Sequence, residues 1–200
     1  MRVKVITSPS ASLEVVTLEE AKNFLKQVDS LPTLEDALVL TLIKTAREYI
    51  ERHTGTSLIQ KTYELYFSSD ELFENCIDVP NPPIYNVTKV ELEDEQGILT
   101  ELIKGSDYYV TGRDKKSIQI LTSTISLSNY KSRYVVTYTA GYGIAASGEI
   151  LATEPIPESL KTAIMQQVLI WYERDGTFEP TLSTQVKMIC SEFTDKCGLQ

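Results

Sequence analysis

The chain has 200 residues, 42% of them hydrophobic and 24% charged, which is enough for one good core, or for one core plus a small subdomain. No apolar run approaches the roughly 20 residues that a membrane span needs. The 28 acidic residues against 19 basic ones give a formal charge of −9, which argues against a nucleic-acid binder unless the basic residues cluster. They do not: the longest basic run is Lys115-Lys116, beside Arg113 and offset by Asp114. Cys76, Cys190 and Cys197 are too few and too irregular for a disulfide framework or a zinc site. The start, MRVKVITSPSASLEVV, lacks the continuous apolar stretch of a signal peptide, so folding in a host cytoplasm with three reduced thiols is expected.

Thr17-Leu18-Glu19-Glu20 is a capping-box pattern and predicts a helix from there to about Val28, with Leu18, Ala21, Phe24 and Leu25 on its apolar side. Asp29-Ser30-Leu31-Pro32 interrupts it. A longer helix is predicted over about 33–53, with Leu38, Leu42, Ala46, Tyr49 and His53 along one stripe and Val39, Ile43 and Ile50 beside it. Thr54-Gly55 is its stop signal.

From about Gln60 the period changes to two. Residues 61–67, 87–93, 108–111, 117–121 and 133–139 are short, rich in β-branched and aromatic residues, and separated by turn signals such as Pro80-Asn81-Pro82-Pro83 and Glu95-Gln96-Gly97. Four to six strands are expected, and antiparallel ones, because no helix-length connections lie between them. Residues 144–154 have no period and read as an exposed loop. Pro155-Ile156-Pro157 opens a third helix to about Asp175, with Leu160, Ala163, Ile164, Val168, Trp171 and Tyr172 buried, and Gly176 ends it. Ser183 to Thr194 carries Val186, Ile189, Cys190 and Phe193 at helical spacing, a short fourth helix.

The expected architecture is α+β: a helical bundle made by the N-terminal helix pair (about 17–55) and the C-terminal helix (about 157–176). An antiparallel β-rich insertion over about 60–140 and a tail over 177–200 complete a single domain spanning 1–200.

A reaction centre is hard to find in this pattern. His53, the only histidine, sits in the last turn of a helix, where a cationic side chain suits the terminal carbonyls without any chemistry. Glu91, Glu93, Asp94 and Glu95 lie across a strand end and turn with no cation-loop spacing. Gly141-Tyr142-Gly143 lacks the further glycine and the lysine of a phosphate-binding loop. Tyr63, Tyr66, Tyr108, Tyr109, Tyr130, Tyr134 and Tyr138 fall in or beside strands, where packing or a protein interface explains them better than base stacking. No catalytic residue, cofactor site or metal site is identified, so a protein that binds other proteins is expected.

Several segments in order resemble the head-to-tail connector (adaptor, head-completion) family of long-tailed double-stranded DNA bacteriophages and prophages. They are Thr17-Leu18-Glu19-Glu20-Ala21-Lys22 with Leu25; Glu35-Asp36-Ala37-Leu38-Val39; Ala46-Arg47-Glu48-Tyr49-Ile50-Glu51 with Thr54-Gly55; Pro82-Pro83-Ile84 with Val87, Val90 and Gly97; Val136-Thr137-Tyr138-Thr139-Ala140-Gly141-Tyr142; and Pro157, Ile164 and Trp171-Tyr172-Glu173-Arg174. The resemblance spans about residues 14–174 and weakens from Asp175 onward. It implies a structural virion protein at the head-tail junction: a homo-oligomeric ring, twelvefold like the portal protein above it, holding a neck or tail-completion protein below. Genome DNA would pass through the lumen without specific binding. Residues 144–154 and the tail after Gly176 are the expected portal-docking elements. The alternatives are a tail-completion or stopper protein of the neck and, from another class, a small hydrolase or enzyme subunit.

Overall fold

A computed structural model describes residues 1–7, 14–25, 33–94, 96–112, 116–121, 133–142, 155–173 and 181–194. Within them lie four α-helices and eight strands in two antiparallel sheets, a mixed α+β fold.

The helices are α1 (Leu18–Phe24), α2 (Thr33–Thr54), α3 (Glu158–Glu173) and α4 (Thr184–Cys190). At the start of α1 the Thr17 hydroxyl accepts from the Glu20 N–H at 3.1 Å while the Glu20 carboxylate accepts from the Thr17 N–H at 2.7 Å, so two orphan donors are satisfied reciprocally. The described part of α1 closes at Leu25; the predicted extension to Val28 and the turn at Pro32 lie outside the described residues. Gly55 ends α2 at φ +68°, as its lack of a side chain allows. Pro157 stands just before α3 and its carbonyl accepts from Lys161 at 3.3 Å, which makes it the cap rather than the first helical residue. Ser183 caps α4, its hydroxyl accepting from the Val186 N–H at 3.2 Å.

Helices α1, α3 and α4 all contact α2, and α3 also contacts α1 and α4. Val39, Leu42, Ile43, Ala46 and Ile50 of α2 share a core with Leu160, Ala163, Ile164, Val168 and Trp171 of α3, with Val186 and Cys190 of α4, and with Val15, Val16 and Ala21. Trp171 meets Tyr49 edge-on, ring centroids 5.7 Å apart. The expected stripe of α2 is rotated from the observed one. Leu38 is 49% exposed and His53 is exposed, because the buried arc centres on Val39, Ile43, Ala46 and Ile50, and Leu38 and His53 fall outside its edges.

The larger sheet has the order β1-β2-β8-β4-β5, built from β1 (Arg2–Thr7), β2 (Lys61–Ser68), β4 (Ile84–Glu93), β5 (Leu99–Glu101) and β8 (Arg133–Ala140); the smaller has the order β3-β7-β6, from β3 (Cys76–Asp78), β6 (Tyr108–Thr111) and β7 (Ser117–Ile120). Every pair is antiparallel. Both sheets feed one core: Tyr63, Leu65, Phe67, Val87, Val90, Tyr134, Val136 and Tyr138 from the larger, Ile77, Tyr108, Ile118 and Ile120 from the smaller. Tyr63 stands opposite Tyr138 and Phe67 opposite Tyr134 in the β2/β8 register, and both pairs stack, at 5.3 Å and 5.1 Å. Such cross-strand aromatic pairs add about 0.5–1.5 kcal/mol each beyond the area they bury.

Two expectations are corrected. From Gln60 to Ala140 seven strands lie among the described residues instead of four to six, since β3 and β5 have only three residues each and give no alternation long enough to read. The β-rich part is also not confined to 60–140, because β1 at the N-terminus pairs with β2 and completes the larger sheet.

Candidate interaction surfaces

The residues weighed for chemistry take structural positions. His53 lies exposed at the end of α2. Glu91 is buried and paired to Lys89 at 2.6 Å, and Glu93 pairs with Arg133 at 3.1 Å across the β4/β8 ladder. Asp94 accepts from the N–H groups of Gln96 and Ile98 at 2.9 and 2.8 Å and so fixes the β4–β5 turn. Glu95 lies outside the described residues, and among those described no group of acidic, histidine and cysteine side chains could hold a metal ion. Lys116 donates to the Tyr85 carbonyl at 2.8 Å, so it ties its turn to β4; Arg113, Asp114 and Lys115 lie outside the described residues. Cys76 and Cys190 are free thiols, Cys190 fully buried and pushed up to about 11 by that burial; Cys197 is outside the described residues. Among the described residues no helix is long and apolar enough to cross a membrane.

Gly141 has a packing reason instead of a phosphate-binding one. At φ +123° it lies against the backbone of Ile59 and Gln60, and a Cβ there would run into the Ile59 carbonyl. Its own N–H donates to the Pro83 carbonyl at 2.9 Å, and the Tyr142 N–H donates to the Ser57 carbonyl at 3.3 Å. The turn after β8 is thus pinned to the segment that joins α2 to β2. Gly143 lies outside the described residues.

That joint also carries a network of ion pairs held out of bulk solvent. Arg47, almost fully buried on α2, donates through Nε and Nη2 to the two oxygens of Glu14 at 2.7 and 3.2 Å, and through Nη1 to Glu51 at 2.8 Å. Glu51 also accepts from Lys61 Nζ at 2.9 and 2.7 Å and from the Leu58 N–H at 2.9 Å. Side-chain exposures of 5% for Arg47, 11% for Glu14 and 12% for Glu51 and Lys61 put the network out of bulk solvent. Desolvation works against the Arg47 charge, and the carboxylates of Glu14, Glu51 and Glu48 outweigh it, so the guanidinium is held above its ordinary value. Below it, the Tyr63 hydroxyl meets the Ser57 hydroxyl at 2.9 Å, and burial pushes Tyr63 up to about 12. Arg47, Glu14 and Lys61 received no such role from sequence. The motif around 46–51 signalled Arg47 only as part of a helix, and Lys61 was read only as the start of a strand, since partners 33 and 10 residues away leave no local pattern.

Charged groups also stand on the outward side of the larger sheet. Arg2 stands opposite Tyr66 and Lys4 opposite Glu64 in the β1/β2 register, and the Tyr66 hydroxyl donates to Glu64 at 2.5 Å. Met1, Arg2, Lys4, Tyr66, Ser68 and Arg133 line an open groove of about 490 Å³, where the terminal amine pairs with Glu71. The groove is shallow and mixed in charge, with no pair of groups placed for acid-base work. Apolar side chains are exposed at both ends of this sheet: Val5 and Ile6 on β1, and Ile98, Leu99 and Ile103 in and around β5. Phe73 at 78% and Met188 at 70% are exposed elsewhere, but the two edges combine exposed apolar side chains with an unpaired strand. Of the expected docking elements, residues 144–154 and, in the tail, 177–180 and 195–200 lie outside the described residues; within the tail α4 packs onto α3.

The head completion protein family matches residues 14–185 of the chain. No curated protein sequence matches it. Among solved structures, a chain in the neck of an empty GTA particle computed with C6 symmetry aligns at 20% identity and a TM-score of 0.76, and one in the virion of a native gene transfer agent particle gives the same values. A chain in the neck of the native GTA particle computed with C12 symmetry aligns at 19% identity and a TM-score of 0.74. Each alignment covers 100% of this chain and 98% of the other, so the fold is shared along its whole length.

Proposed function

The chain belongs to the head completion protein family, and from that membership we propose that it is the connector subunit of a phage-like neck, working in a ring beneath the portal protein and joining the DNA-filled head to the neck or tail proteins. The family is structural and not enzymatic, so the hydrolase alternative falls away. The observation that carries the reading is the family match over residues 14–185. The structural likeness to chains from gene-transfer-agent particles, two of them from necks treated with C6 and C12 symmetry, supports placement in the virion and a twelvefold homo-oligomer.

On this reading the chain acts as one domain over 1–200. Its helices form a bundle, an N-terminal pair with the C-terminal helix, that serves as a platform, and the sheets project from the joint built on Arg47, Glu51 and Lys61. Residues 144–154 and the tail after Gly176 dock onto the portal. The net charge of −9 keeps the genome from adhering as it slides through the lumen. Size exclusion with light scattering on the purified chain, alone and mixed with portal rings from the same genome, tests the proposal. A ring-sized species or co-elution with the portal is expected, and a monomer indifferent to the portal overturns it.

A further inference from the structure

The larger sheet ends in two strands of opposite character. Among the described residues no strand pairs with the outer edge of β1 or of β5, so each presents unpaired backbone groups, a ready template for another strand. The β1 edge is basic: Arg2 and Lys4 are exposed, and the strand Arg2–Thr7 holds no acidic residue. The β5 side is acidic on balance, with Asp94 in its turn and Glu101 exposed on the strand opposite Glu91, against the exposed Lys104 just past the strand. Both edges carry exposed apolar side chains, Val5 at 44% and Ile6 at 46% on one, Ile98 at 61%, Leu99 at 49% and Ile103 at 66% on the other.

A single copy cannot bring these edges together, because β2, β8 and β4 stand between them. We infer that the β1 edge of one copy docks against the β5 edge of a second copy of this chain, extending the sheet across the subunit boundary. Charge selects this pairing over the two self-pairings. β1 against β1 would gather the Arg2 and Lys4 side chains of both copies, and β5 against β5 would gather the Glu101 carboxylates; like charges across a ladder are unfavourable. Only the unlike pairing sets basic against acidic and leaves apolar groups on both sides to cover each other. It uses two different patches of the same molecule, so it is heterologous and repeats from copy to copy, as a ring requires. The inference rests on the proposed ring and names the surfaces that build it.

Two experiments test it together. In the first, Arg2→Glu and Glu101→Arg are compared with the parent by sedimentation velocity and by assembly on portal rings. Each single change is expected to weaken self-association by about tenfold or more, and the double variant to restore most of it, a rescue that loss of fold would not give. In the second, Lys4→Cys and Leu99→Cys variants, whose positions share the sheet face of Arg2 and Glu101, are mixed and oxidised during assembly, in a background where Cys76 and Cys197 are serine. A disulfide-linked dimer that appears only in the mixture is expected. Rings that assemble with no such dimer and are indifferent to both charge reversals overturn the edge pairing and leave the ring standing. Cross-links from either cysteine to the portal instead of to a second copy overturn it in favour of a partner strand. Failure of the parent chain to assemble, alone or with the portal, overturns ring and interface alike.

Discussion

At the scale of single residues, burial dictates what the tyrosines do. Tyr63, Tyr134 and Tyr138 are all held above the ordinary tyrosine value by burial, Tyr63 at about 12. In the unfolded chain they ionise near the ordinary value of about 10. A group whose folded value is raised contributes stability in full below its unfolded value and loses it as pH rises through the folded one. The fold should therefore weaken between pH 10 and about 12. Tyr134 and Tyr63 then separate. The Tyr134 hydroxyl is buried with no hydrogen-bond partner among the described residues, whereas Tyr63 meets Ser57. Tyr134→Phe keeps the stack on Phe67, removes an unsatisfied polar atom and should stabilise the protein at pH 7 by about 1 kcal/mol. Tyr63→Phe should cost about 1 kcal/mol at pH 7. Both should shrink the alkaline loss, read from urea midpoints at pH 7, 9 and 11; a Tyr134→Phe variant less stable than the parent at pH 7 would sink the argument. The tyrosines were legible as strand residues from their β-branched neighbours, and their cross-strand partners were not, since register emerges only when β2 meets β8.

At the scale of elements, the caps and periods were readable and the joints were not. Thr17 with Glu20, and Gly55 after α2, act within four residues of themselves, so the sequence displays their function directly. Strand β1 alternates Arg2-Val3-Lys4-Val5, a signal that was present, yet no hairpin partner follows it and its mate β2 begins at Lys61. The α2-to-β2 joint is harder still, because Glu51 draws Arg47, Lys61 and the Leu58 N–H to one carboxylate. Glu51→Ala would leave two cations and a backbone donor without their shared acceptor. It should cost about 3–5 kcal/mol, against a much smaller effect for Glu48→Ala, whose exposed carboxylate is 3.8 Å from Arg47. Denaturant unfolding of the two variants decides this, and equal midpoints would show that the joint draws its stability from packing alone.

At the scale of the whole molecule, the class of function could be read from what was missing, a reaction centre and a basic cluster, and the family from ordered motifs; the two open sheet edges could not, because they exist only once β1 and β5 sit at opposite ends of one sheet. If the proposed ring forms, the formal charge of −9 bears on how it meets the genome. A protein that neutralises phosphates releases counterions and binds more weakly as salt rises, and an acidic surface reverses that incentive. The assembled protein should therefore leave duplex DNA unretarded in a gel-shift series from about 50 mM to 200 mM salt, a range over which a binder with several phosphate contacts loses affinity by orders of magnitude. Replacing lumen-facing acidic residues by lysine, once the ring geometry identifies them, should create retention that salt removes. Parent rings that hold DNA at 50 mM and release it at 200 mM would mean that the basic residues gather on the lumen, and the sliding role of the negative charge would have to be abandoned.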